Sequence, residues 1–160
     1  HHYNTCHVCW HFPDYCKKQN YQQAKEDYLQ LEQIAENPKN TSNSKVALMR
    51  CNYQLKNCVD ATNYANRVIA LEKVSAELSS EAHYIIAQCK MAEQKYDEAM
   101  NEFKIVAAAS KAEIGAESKY NIALILYQNK EYKKSEKEIY DFSAIHFFFI
   151  VFSLKKMQCK

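Results

Sequence analysis

The chain has 160 residues and a formal net charge of +2, from 21 basic and 19 acidic side chains. So balanced a charge gives no electrostatic bias toward nucleic acid or acidic substrates. One Gly and two Pro exclude a Gly-rich phosphate-binding loop, and the composition predicts a nearly all-α chain of one domain.

Residues 1–20 form the most irregular segment. Pro13 removes a backbone donor, so we expect a broken or short first helix here. The segment contains residue types that zinc accepts, namely Cys6, Cys9, His11 and Cys16. Their spacing, C-x2-C-x-H-x4-C, matches no ligand framework, and no second C-x-x-C follows. We therefore expect no metal and no cofactor, with these four residues as weak candidates.

The sequence of residues 21–72 predicts helices separated by one clear loop. A helix is predicted over Tyr21–Ala35. Asn37–Asn43 is a cluster of turn-forming residues and is predicted to be a loop. Further helices are predicted over about Ser44–Lys56 and Val59–Glu72.

The spacing of apolar residues in Ser80–Val106 predicts two amphipathic helices joined by a tight turn at Glu93–Lys95. The second of them places its apolar residues on one helix face, at Tyr96, Ala99, Phe103 and Val106. A similar pair follows, with helices from about residue 116 to 129 and from residue 132 onward.

These helix pairs share columns of similar residues that recur every 36 to 38 positions. A small residue stands at Ala24, Ala61, Ala99 and Ser135. The column three positions before the small residue holds Tyr21, Cys58, Tyr96 and Tyr132. The column four positions after it holds Tyr28, Ala65, Phe103 and Ile139. The column seven positions after it holds Leu31, Val68, Val106 and Phe142. The preceding helices repeat the pairs Leu48–Met49, Ile86–Ala87 and Ile122–Ala123. The columns predict a repeated helical hairpin.

The pattern Tyr-x-x-small-x-x-x-aromatic-x-x-apolar is clearest in Lys95–Val106 and Glu131–Phe142. Over residues 21–142 it resembles the tetratricopeptide repeat, a helix–turn–helix unit of about 34 residues. The resemblance implies a right-handed solenoid of antiparallel hairpins, with three to four repeats. The divergent repeats are also similar to those of bacterial envelope proteins, which implies the periplasm. The odd number of seven Cys favours a reducing cytoplasm instead.

In such a stack the first helix of each hairpin lines the concave surface. Its columns carry tyrosines, which suit adaptable recognition of peptide. We therefore predict a partner-binding groove made of Arg50, Tyr53, Tyr84, Gln88, Tyr120, Leu124 and Tyr127. The alternative is that some of these tyrosines pack between neighbouring repeats.

The tail at 143–160 continues the stretch Phe142–Leu154, which is apolar on all faces and has Phe147, Phe148, Phe149 and Phe152 close together. Its apolar stretch is too short for a membrane span of about 20 residues. It is predicted to be a capping helix, with a partner-binding or membrane-adsorbed segment, or the start of a further repeat, as alternatives.

The sequence shows no pattern of catalytic residues, since no Ser or Asp stands at a spacing from His83 that would indicate a catalytic triad. The expected function is a non-enzymatic scaffold that binds a protein or peptide partner, with no nucleic acid, as part of a larger complex or longer chain. The alternative is a bacterial envelope assembly or secretion component docked at a membrane complex through its apolar tail.

Overall fold

The computed structural model describes residues 20–140, and within this range all regular structure is helical. The helices are α1 (Tyr21–Ile34), α2 (Pro38–Gln54), α3 (Cys58–Ile69), α4 (Ala76–Ala92), α5 (Tyr96–Ala109), α6 (Glu113–Gln128) and α7 (132–140). The all-α prediction is confirmed for this part of the chain. The expectations for residues 1–19 and for the tail beyond residue 140 lie outside it.

Side-chain caps determine where several helices begin. The Asn20 side chain accepts from the Gln23 amide at α1, and Asn57 caps α3 in the same way through the Asp60 amide. Ser75 accepts from the Leu78 amide at the start of α4. Each cap satisfies a backbone donor that has no partner within the helix.

The predicted loop at Asn37–Asn43 is wrong, because α2 begins at Pro38. The Asn37 side chain accepts a 2.8 Å hydrogen bond from the Lys39 amide, and Pro38 occupies the first helical position. Asn before Pro is therefore a helix start here, since Pro at that position loses no intrahelical hydrogen bond. Two other starts are also earlier than predicted: α4 begins at Ala76 and α6 at Glu113.

Each helix from α1 to α6 packs against its neighbours in the chain, and α4 also contacts both α2 and α6. We call α2, α4 and α6 the first helices, and α1, α3, α5 and α7 the second helices. The small-residue column lies where the two kinds meet: Ala24, Ala61, Ala99 and Ser135 are at most 2% exposed. In the last helix pair the Ser135 hydroxyl donates to the Ala123 carbonyl at 2.8 Å, which requires a close approach of α7 to α6.

Three turns that join a first helix to the following second helix have the same geometry. Lys56, Gln94 and Lys130 each have a φ between 60° and 63°. At the middle turn the Gln94 amide donates to the Met91 carbonyl and the Lys95 amide to the Lys90 carbonyl. The same two bonds recur at the other turns. This is the Schellman helix ending, which places a left-handed residue just past the helix.

Ion pairs connect helices that are not consecutive in the chain. Lys25 of α1 contacts Asp60 of α3 at 3.1 Å. Glu32, in the last turn of α1, pairs with Arg67 of α3 and accepts from the Tyr64 hydroxyl. These contacts fix α1 against the second helix that follows it.

Candidate partner-binding surface

All seven predicted groove residues lie on first helices: Arg50 and Tyr53 on α2, Tyr84 and Gln88 on α4, and Tyr120, Leu124 and Tyr127 on α6. Because α4 contacts both α2 and α6, the three helices form one continuous side of the molecule. The seven side chains differ greatly in exposure, however, and they divide into a packed group and an exposed group.

Arg50 belongs to the packed group. Its Nε and Nη2 donate to the two carboxylate oxygens of Glu81 on α4, at 2.7 and 2.6 Å. The side chains of Arg50 and Glu81 are 12% and 18% exposed. Such a two-pronged, partly buried pair fixes geometry well. The guanidinium is thus neutralised within the molecule, and its main role is to hold α2 against α4.

Tyr84 is also largely packed. Its ring meets the buried ring of Phe103 edge-on, with centroids 5.9 Å apart, and its hydroxyl accepts from Gln88 Nε2 at 2.7 Å. Burial raises the pKa of Tyr84 well above its usual 10.0, and a hydrogen bond to the Glu117 carboxylate of α6 raises it further. Tyr84 therefore makes a polar contact with Glu117 that joins α4 to α6, while Gln88 supports its hydroxyl from within α4.

Tyr53 is half-buried against the apolar cluster that α2, α3 and α4 form together. The Lys56 ammonium lies 5.5 Å from the centre of its ring, within range of a cation–π contact. The buried side of the Tyr53 ring thus packs against the apolar core. Its position agrees with the alternative that some of the predicted groove residues pack between helices.

The exposed group lies on α6. Tyr120 and Tyr127 are 56% and 61% exposed, and the half-buried Leu124 stands between them on the same helix face. The Tyr127 ring meets the ring of Tyr132, on α7, edge-on at 5.2 Å, and Tyr132 is 54% exposed. We call these four residues, Tyr120, Leu124, Tyr127 and Tyr132, the α6 aromatic patch.

Two features of this surface were missed by sequence reasoning. Tyr132 stands in the repeated column three positions before Ser135, and its ring extends the patch beyond α6. Glu81 and Glu117 are 36 residues apart and each accepts from the preceding first helix. That shared spacing was the available signal for their role, since it is the spacing of the repeated columns.

The remaining predicted sites lie outside the described residues. These are the weak metal candidates Cys6, Cys9, His11 and Cys16, and the tail residues Phe147, Phe148, Phe149 and Phe152. Within residues 20–140, no three His, Cys, Asp or Glu side chains converge as a metal site would need. None of the helices in this range has the length and apolar character to cross a membrane.

Comparison of the chain with protein-family models, with curated proteins and with solved structures found no match.

Proposed function

We propose that the chain is a non-enzymatic interaction scaffold, and that a segment of a partner protein binds along the first helices. The observation that carries this proposal is the α6 aromatic patch. Two tyrosine rings that are more than half exposed stand on one helix face, beside a half-buried leucine. Rigid amphipathic rings supply contact area at a low cost in side-chain entropy.

The proposal includes a right-handed, tetratricopeptide-like solenoid of three to four repeats. Its support is the recurrence of one turn geometry at Lys56, Gln94 and Lys130, 38 and 36 residues apart. The buried small-residue column has matching intervals. Stacked hairpins of this kind present extended surfaces to partners.

Within this scaffold the packed residues and the exposed residues have different tasks. The Arg50–Glu81 pair holds α2 against α4, and the contact of the Tyr84 hydroxyl with Glu117 holds α4 against α6. The α6 aromatic patch then contacts the partner directly. An extended or helical peptide with aliphatic side chains fits such a patch, because the tyrosine rings contact apolar groups while their hydroxyls stay in water.

The test begins with a peptide selected from a random displayed library against the purified protein. Its Kd is then measured for the wild type and for the double variant Tyr120→Ala/Tyr127→Ala. Aromatic anchors usually dominate such an interface, so we expect Kd to rise about 30-fold, or about 2 kcal/mol.

The matched control is Val59→Ala/Ile105→Ala, which removes two exposed apolar side chains from second helices. It is expected to leave Kd unchanged. A selected peptide that binds the tyrosine variant as tightly as the wild type places recognition elsewhere and rejects the α6 aromatic patch.

A further inference from the structure

Cys58 and Cys89 belong to the same apolar region, which α2, α3 and α4 form together. Cys89 lies near the end of α4 and is 1% exposed, whereas Cys58 is the half-buried first residue of α3 and packs against the cluster that contains Cys89. The two helices contact each other and are joined by the short connection 70–75. They therefore run antiparallel, which brings the start of α3 beside the end of α4.

The two thiols are neighbours across this interface. The Cys58 thiol is a hydrogen-bonding neighbour of the Cys89 thiol, and Thr62, one turn further along α3, also approaches Cys89. Burial raises the pKa of Cys89 to about 12, and the adjacent Cys58 thiol raises it further. At neutral pH Cys89 is therefore a protonated thiol that reacts slowly with external reagents.

The third described cysteine has different surroundings. Cys51, on α2, is buried, and its charged neighbours are Lys25 of α1 and Arg50. It is thus on the side of α2 that meets α1. Cys51 therefore supplies a matched control for any chemistry of the other two.

We propose that Cys58 and Cys89 form a reversible disulfide with a small disulfide oxidant such as oxidised glutathione, and that this bond fastens α3 to α4. In the first step the more exposed Cys58 loses its proton to solvent. Its thiolate attacks one glutathione sulfur, so that a mixed disulfide forms and one glutathione thiolate leaves.

In the second step the Cys89 thiol loses its proton to solvent and attacks the Cys58 sulfur. The second glutathione thiolate leaves, and the intramolecular bond forms. The protein loses two electrons and two protons in total, and oxidised glutathione is reduced to two molecules of glutathione. Because Cys89 is protonated at neutral pH, this second step is slow and accelerates about tenfold per pH unit between pH 7 and 9.

The test uses the full chain with Cys6, Cys9, Cys16 and Cys159 replaced by Ser, so that only the three described cysteines react. After treatment with oxidised glutathione, a digest under non-reducing conditions is expected to contain the peptide pair linked through Cys58 and Cys89. The Cys89→Ser variant is expected to stop at the Cys58–glutathione adduct, whereas Cys51→Ala is expected to form the linked pair as before.

A thermal measurement provides a second readout. The disulfide closes a loop of about 31 residues, so oxidation is expected to raise Tm by roughly 5–10 °C, and dithiothreitol is expected to reverse the shift. The rise should be absent in Cys58→Ser. Glutathione that stays on Cys58 when Cys89 is present, or a linked pair that contains Cys51, overturns the proposal.

Discussion

Gly115, the one glycine of the chain, is required for space rather than for a special backbone angle. It lies in the first turn of α6. A Cβ built on it would lie 1.9 Å from the backbone carbonyl oxygen of Ser110, just past the end of α5. Because that atom belongs to the backbone, a clash cannot be relieved by rotating a side chain. The close approach of the two helices at this point therefore depends on the missing side chain.

Gly115→Ala is expected to destabilise the protein by about 2 kcal/mol, because overpacking of this kind forces backbone shifts. The free energy of unfolding from urea denaturation measures the effect. The ordinary preference of a helix for Ala over Gly would act in the opposite direction.

The comparison variant is Ala112→Ser, which also adds one heavy atom, three residues earlier. Ala112 is the N-cap of α6 and makes no side-chain cap hydrogen bond. A Ser there can supply the missing side-chain cap of α6, so we expect a gain of about 1 kcal/mol. Equal losses in both variants would contradict the assigned roles of these positions.

At the scale of elements, the three Schellman turns are strained in the same way. A left-handed conformation costs an L-residue with a side chain roughly 1–2 kcal/mol relative to Gly, yet Lys56, Gln94 and Lys130 all adopt it. Each turn lets a second helix fold back directly onto the preceding first helix. The hairpins therefore keep this geometry without the glycine that usually occupies the position.

Gln94→Gly is expected to stabilise the protein by about 0.5–1 kcal/mol, since relief of strain exceeds the added freedom of the unfolded chain. Thermal and urea unfolding measure the change. Glu93→Gly is the neighbouring control, because Glu93 has an ordinary φ of −82° and gains nothing from Gly. A gain in the control but not in Gln94→Gly would show that the turn carries no strain.

At the scale of the whole molecule, buried thiols and phenols make the fold sensitive to alkali. Burial raises the pKa of Cys51 from its usual 9.0 to about 11 and that of Cys89 to about 12. Burial also raises the pKa of Tyr64 and Tyr84 above 10.0. Above pH 9 the unfolded chain releases these protons before the folded chain does, so the stability present below pH 9 is lost as the pH rises.

We therefore expect Tm to fall steadily between pH 9 and pH 11. The double variant Cys51→Ala/Cys89→Ala removes two of the responsible groups, and its Tm should fall less over the same interval, although it starts lower at pH 7. A pH profile parallel to that of the wild type would mean that the two thiols do not contribute.

Much of this architecture was predictable from the spacing of small and apolar residues. The columns at Ala24, Ala61 and Ala99 are buried as expected, because burial between two helices of a hairpin depends on the helix period itself. The exposure of the predicted groove residues was less predictable. Tyr84 and Tyr120 share a column, yet Tyr84 meets Phe103 of the next helix and Tyr120 stays exposed, since the exposure of a first-helix side chain depends on what the adjacent helices place against it.

The Arg50–Glu81 ion pair could not be predicted from the sequence for a related reason. Its partners are 31 residues apart, and nothing in the local pattern of α2 indicates which carboxylate of α4 it meets. The prediction for the start of α2 was wrong for a different reason. Asn37–Pro38 can signal either a loop or a capped helix, and only the hydrogen bond from the Lys39 amide distinguishes the two.

The packing of helices α1 to α6 against their near neighbours also bears on how the chain folds. Substantial contacts join helices that are adjacent in the chain or separated by one other helix. Native contacts of such short range need little loop closure before they form, which favours fast folding. On a ribosome, α1, α2 and α3 can complete their mutual contacts before α6 has been synthesised.

In the folded protein, the pair α4–α5 has packed helices on both sides. We therefore expect this pair to be the last region to exchange its amide hydrogens with solvent.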